Sequence, residues 1–76
     1  MDGYWVRFSN TGEVRSLYKV VDGEILGYDF KKKEFTECER VPALGYDAEF
    51  DKISDSEGER IYKELKKSRK VIKAVD

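Results

Sequence analysis

The side chains able to do chemistry form two groups of opposite sign. In the last quarter of the chain Arg60, Lys63, Lys66, Lys67 and Lys70 recur at short spacing, with Lys73 at their margin. At about 100° per residue of an α-helix these cations share one side, opposite an apolar stripe. A continuous stripe of cations can track a phosphate backbone, so these six are the candidate binding residues. The same pattern also describes a solvated helix face, with cations complementing the macrodipole and Glu59 pairing with Lys63. Upstream, Glu37 and Glu39 alternate along one segment, and Asp47, Glu49 and Asp51 along another. Carboxylates two apart on a strand lie about 7 Å from each other, a row that mimics a phosphate backbone or docks on a basic partner. Charged edges that prevent sheet-to-sheet association account for them equally. A calcium loop does not fit, because the Asp47–Asp51 run lacks the central glycine and the closing glutamate.

Other chemistries are thinly supplied. There is no histidine and one cysteine, Cys38. That excludes an intramolecular disulfide, a Cys/His zinc site and any Ser-His or Cys-His nucleophile pair. A nucleophilic Cys38 would need a neighbouring cation to lower its pKa, whereas its sequence neighbours are Glu37 and Glu39. No phosphate-cradling glycine motif occurs. The expectation is a protein that is not an enzyme, with no catalytic residues, no cofactor, no metal and no small-molecule substrate. A sequence pI of about 5.5 argues against a dedicated nucleic-acid binder.

The elements that must position these groups are legible from local patterning. Seventy-six residues leave room for one domain. Tyr4, Val6 and Phe8 alternate with Trp5 and Arg7, as in a strand, and Asn10-Thr11-Gly12 supplies a turn. A second strand is expected over Glu13–Val21 and a third over Glu24–Phe30, joined by Asp22-Gly23, the dipeptide suited to a type I′ hairpin. Lys31-Lys32-Lys33 leads into a fourth strand over Glu34–Glu39. Residues 1–39 are thus two hairpins, and residues 40–53 a loop around Pro42 and Gly45 in which 46–51 is a candidate fifth strand. The helical segment spans 54–74. Ser54 and Glu57 fit a capping box, and Gly58, Ile61, Leu65, Ser68 and Ile72 form the apolar stripe of a helix from about 55 to 73. The fold class predicted is α+β: an antiparallel β-meander of four strands, with a fifth as the candidate above, and one C-terminal helix packed on one face. A helix this long would overhang the strands and leave Val71, Ile72 and Val75 partly uncovered. Trp5, on the strand face away from Tyr4, is either packed under a loop or exposed as an interface anchor.

The order Leu17-Tyr18-Lys19-Val20-Val21-Asp22-Gly23, Gly27-Tyr28-Asp29, Glu34-Phe35 and Phe50-Asp51-Lys52-Ile53-Ser54-Asp55-Ser56-Glu57 resembles a type of short bacterial or phage protein. In that type a Y-x-V-x-D-G hairpin precedes a Y-D-P…E-W hairpin and an I-S-x-x-E helix start. Phe30 stands here in place of its proline and Phe35 in place of its tryptophan. The resemblance implies a bacterial or phage source and a small meander-plus-helix fold, and no activity.

Charge is distributed unevenly: residues 1–33 carry +1, 34–59 carry −7 and 60–76 carry +5. The function expected is a protein-interaction or regulatory module presenting surfaces of opposite sign, its partner another protein or a second copy through an edge strand or the helix overhang. Nucleic-acid binding through the basic helix face is the alternative. With Asp2 where a signal peptide carries positive charge and no apolar run after it, one thiol and no membrane-length apolar run, the expected location is the cytoplasm.

Overall fold

The computed structural model describes residues 2–38, 50–68 and 71. They form β1 (Gly3–Phe8), β2 (Val14–Val21), β3 (Glu24–Asp29), β4 (Glu34–Glu37), β5 (Asp51–Ile53) and α1 (Asp55–Lys67). All pairings are antiparallel and the spatial order is β4-β3-β2-β1-β5. Four strands therefore make a meander, the fifth joins at the free edge of β1, and α1 covers one face: the α+β class read from the sequence. Among the described residues no helix is long and apolar enough to cross a membrane.

The turns follow from side-chain chemistry. Asp22 and Gly23 both take positive φ, 51° and 82°, as a type I′ turn demands, and Val21 pairs with Glu24 across them. At the β3–β4 connection the Asp29 carboxylate accepts the Lys31 and Lys32 amides at 2.8 and 3.0 Å, and its carbonyl accepts the Lys33 amide at 2.7 Å. This capture ends β3 at Asp29, one residue before the expected Phe30. Lys33 closes the turn at φ 58°. β4 likewise ends at Glu37 rather than Glu39. The fifth strand lies at Asp51–Ile53, where Ile53 pairs with Tyr4 and Asp51 with Val6; of the expected 46–51 segment, residues 46–49 fall outside the described residues.

The period-2 pattern sorts each strand into two faces. On the near face Tyr4, Val6, Leu17 and Tyr28 meet Ile61 and Leu65 of α1, with Phe30, Phe35 and Tyr62 at the margin. The helix approaches closely because Gly58 has no side chain: a Cβ there would lie 2.1 Å from Tyr4 Cγ. Ser68, the other small member of the expected stripe, is exposed and ends the helix in an extended conformation (φ −145°, ψ 145°).

The helix is thus six residues shorter than the sequence pattern suggests. Thirteen residues span about 20 Å, the length of the strands beneath. Val71 is then free to turn back onto the sheet, where it is buried and its carbonyl accepts the Val14 amide at 2.7 Å. A helix continued to residue 73 would carry that side chain past the core. The expected overhang is absent at Val71; Ile72 and Val75 lie outside the described residues.

Candidate interaction surfaces

Ser54 initiates α1, its hydroxyl accepting the Glu57 amide at 3.2 Å, while Asp55 and Glu57 in the first turn and Lys66 and Lys67 in the last complement the macrodipole. The return half of the capping box does not form, because Arg60 holds the Glu57 carboxylate. Its Nε donates to Glu57 Oε1 at 3.1 Å, its Nη2 also contacts that oxygen, and its Nη1 donates to Glu64 Oε2 at 2.6 Å. The hydrogen bond lowers the Glu57 pKa and raises that of Arg60. Both side chains are about one-third exposed, so the pairs stabilise the helix little.

Of the six cations expected to form one stripe, Arg60 is therefore neutralised along one flank. Lys63, Lys66 and Lys67 are exposed, and Lys66 Nζ lies 5.1 Å above the Tyr62 ring centroid. Lys70 and Lys73 lie outside the described residues. Glu59 does not pair with Lys63: it accepts the Tyr4 hydroxyl at 2.8 Å, and burial together with this carboxylate holds the Tyr4 pKa far above its ordinary value. Four acidic and four basic side chains alternate over Asp55–Lys67, so the described helix has no net charge.

The far face of the sheet holds a second apolar group. Trp5 is 7% exposed and packs with Val20, bordered by half-buried Tyr18, Ile25 and Phe50; Tyr18 and Phe50 meet edge-on at 5.5 Å. Both faces of β1 are thus covered, and Trp5 is packed rather than exposed. Its indole Nε1 is buried with no hydrogen-bond acceptor among the described residues.

Beside this group lies a depression of about 330 Å3. Its rim is the far-face positions of three neighbouring strands, Ser16 and Tyr18 of β2, Asp29 of β3, and Thr36 with the adjoining Cys38; its floor is Gly27. The β2–β3 ladder ends at the Tyr18–Gly27 pair, although β2 runs back to Val14 and β3 on to Asp29. The cleft opens where the strands part. The Cys38 thiol leans to within 3.1 Å of where a Gly27 Cβ would stand, and burial raises its pKa, which keeps it protonated. Of the acidic rows, Glu37 and Asp51 are exposed on the two edge strands, while Glu39, Asp47 and Glu49 lie outside the described residues. Among the described residues no group of three or more His, Cys, Asp or Glu is placed to hold a metal ion.

Comparison with known proteins adds no relative. No family model, curated protein or solved structure matches the chain.

Sequence reasoning passed over the depression, because neither a glycine in a strand nor a short far-face side chain is a binding signal alone. Nor does local patterning show where the β2–β3 ladder stops; it ends at Tyr18–Gly27, while further back along β2 the Val14 amide is taken by the Val71 carbonyl.

Proposed function

We propose that the chain is a protein-interaction module with no catalytic activity, which receives a side chain of a protein partner in the far-face depression over Gly27. The observation that carries this reading is the depression itself: open along the sheet, lined at Gly27 by the small side chains of Ser16, Thr36 and Cys38 together with Tyr18, Asp29 and Phe30, and bordered by the aromatic group around Trp5. Enclosed pockets bury most of a small ligand, and an open cleft in a sheet does not. A partner's protruding side chain with an apolar body and a polar tip suits it, since Tyr18 supplies an aromatic wall and Ser16, Asp29 and Thr36 supply polar groups. The neutral helix supports a protein rather than a polyanion as partner, since Arg60 is already paired within its own helix. A regulatory role, a cytoplasmic location and a bacterial or phage origin are consistent parts of the same proposal.

The test combines affinity capture with an NMR titration. A partner captured by the wild-type chain is expected to be lost on Ser16→Trp, which fills the cleft, while the circular dichroism spectrum is unchanged. Sedimentation of the chain alone reports whether a second copy is that partner. Capture indifferent to Ser16→Trp sinks the proposal. Amide shifts confined to Lys63–Lys67 with oligonucleotides, fading with salt, would replace it with nucleic-acid binding.

A further inference from the structure

We infer that the end of the molecule formed by the β3–β4 turn and the last turn of α1 docks an acidic segment of a partner protein. This goes beyond the far-face cleft to a second surface, and rests on the interaction-module reading for the class of partner. A chain of ring contacts brings the two elements together. Phe30, which opens the turn, meets Tyr28 edge-on at 5.1 Å; Tyr28 meets Tyr62 of α1 at 5.8 Å; and Phe35, just beyond the turn, stacks on Tyr62 at 4.9 Å. Lys66 extends over that same Tyr62 ring. One aromatic cluster thus joins the residues that flank Lys31–Lys33 to the part of α1 that carries Lys66 and Lys67. All five are exposed, and none makes an ion pair among the described residues.

Two further features mark this end as built. The lysine turn is held rigid by three hydrogen bonds to Asp29, whose carboxylate is occupied by backbone amides. Lys33 also sits at φ 58°, where glycine would be unstrained. Strain of this kind persists where a side chain is needed. The acidic groups near the patch are Asp29, whose charge inside the turn acts on Lys31 and Lys32, Glu34 at the end of the turn, and Glu64, already taken by Arg60.

The chemistry favours carboxylates on a protein over a nucleic acid. Single strands are held by bases stacked on aromatic faces, and Tyr62 is already engaged by Phe35, Tyr28 and Lys66. A net charge of −1 provides no long-range attraction for a polyanion, whereas a short acidic segment feels only the field within a Debye length, about 8 Å.

The test titrates 15N-labelled protein with a short synthetic peptide rich in Asp and Glu, a neutral peptide of equal length, and single- and double-stranded oligonucleotides, at low and moderate salt. Shifts at Lys31–Lys33 and Tyr62–Lys67 with the acidic peptide are expected, weakening as salt rises. Lys32→Glu with Lys66→Glu should reduce the affinity about tenfold or more, as reversal of two close charges implies. Lys52→Glu, reversing an exposed charge on β5 at the opposite edge of the sheet, should leave it unchanged. An unperturbed spectrum at low salt, indifference to the lysine reversals, or tighter binding of oligonucleotide at the same residues overturns the inference. If the peptide fails while capture remains sensitive to Ser16→Trp, only this second surface falls; if both fail, the interaction reading falls with it.

Discussion

Substituting Gly58 by alanine sets two well-calibrated effects against each other. In an exposed helix the change would stabilise by about 1 kcal/mol, the propensity gap between the two residues. Here the new Cβ would lie 2.1, 2.4 and 2.6 Å from Tyr4 Cγ, Cδ2 and Cδ1. Ordinary carbon contacts are about 3.5–4.0 Å, so the ring or the helix must yield by roughly 1.4–1.9 Å. Tyr4 has little freedom to do so. It is 3% exposed, its hydroxyl is tied to Glu59 at 2.8 Å, and Lys19 lies over its ring. Overpacking of this kind costs up to about 3 kcal/mol, leaving a net loss of about 2 kcal/mol after the propensity gain. In a domain of this size that lowers Tm by roughly 8–16 °C. Thermal and urea unfolding followed by circular dichroism measure it, with Lys63→Ala as an exposed control expected to change stability by less than about 0.5 kcal/mol. In a Tyr4→Val background the penalty should shrink or reverse, since the two changes share one contact. A Gly58→Ala protein as stable as wild type would refute the close approach of helix and sheet.

Other outcomes follow from single contacts. Lys33→Gly should raise the urea midpoint by the equivalent of about 0.5–1 kcal/mol, the left-handed strain relieved less the added chain entropy. Val71→Ala should cost about 2 kcal/mol if the segment after the helix is anchored as described, and almost nothing if it is not. Ser54→Ala should cost about 1 kcal/mol in the same assay through loss of the N-cap. The Asp29 pKa is lowered, chiefly by the Lys32 and Lys31 amides, so its contribution is present above the ordinary carboxylate pKa of about 4 and is lost as pH falls through the lowered folded value. Wild type should therefore lose more stability than Asp29→Ala between about pH 5 and pH 2, and parallel acid profiles would exclude that role.

What was legible in the sequence was local. Asp22-Gly23 and Ser54 act within four residues of themselves, so their geometry could be read directly, and the alternation of Tyr4, Val6 and Phe8 with Trp5 needed only the pleat. The helix end at Lys67 could not be read the same way, because the apolar period continues to Ile72 while Val71 makes its contact with Val14, nearly sixty residues away in the sequence. Arg60 sits at the right angle for a cation stripe, and periodicity places Glu57 and Glu64 within its reach at i−3 and i+4; what it does not show is that the Tyr4 hydroxyl, 55 residues away, takes Glu59 from Lys63. The lysine turn is not legible as a site in the sequence because its neighbours on α1 come from about thirty residues away, joined to it through the Tyr28, Phe35 and Tyr62 rings.

The placement of β1 between β2 and β5 bears on how the chain folds. The hairpins from β1 to β4 close over short loops and can form within microseconds, yet they leave the Tyr4–Leu17–Tyr28 face bare. Its cover arrives from far along the chain: the Tyr4–Glu59 hydrogen bond spans 55 residues. Closing that distance is the entropically slow step. During synthesis the first half of the protein must wait as a sheet with one greasy side exposed and with β1, whose one charge is Arg7, as an open edge until β5 pairs with it.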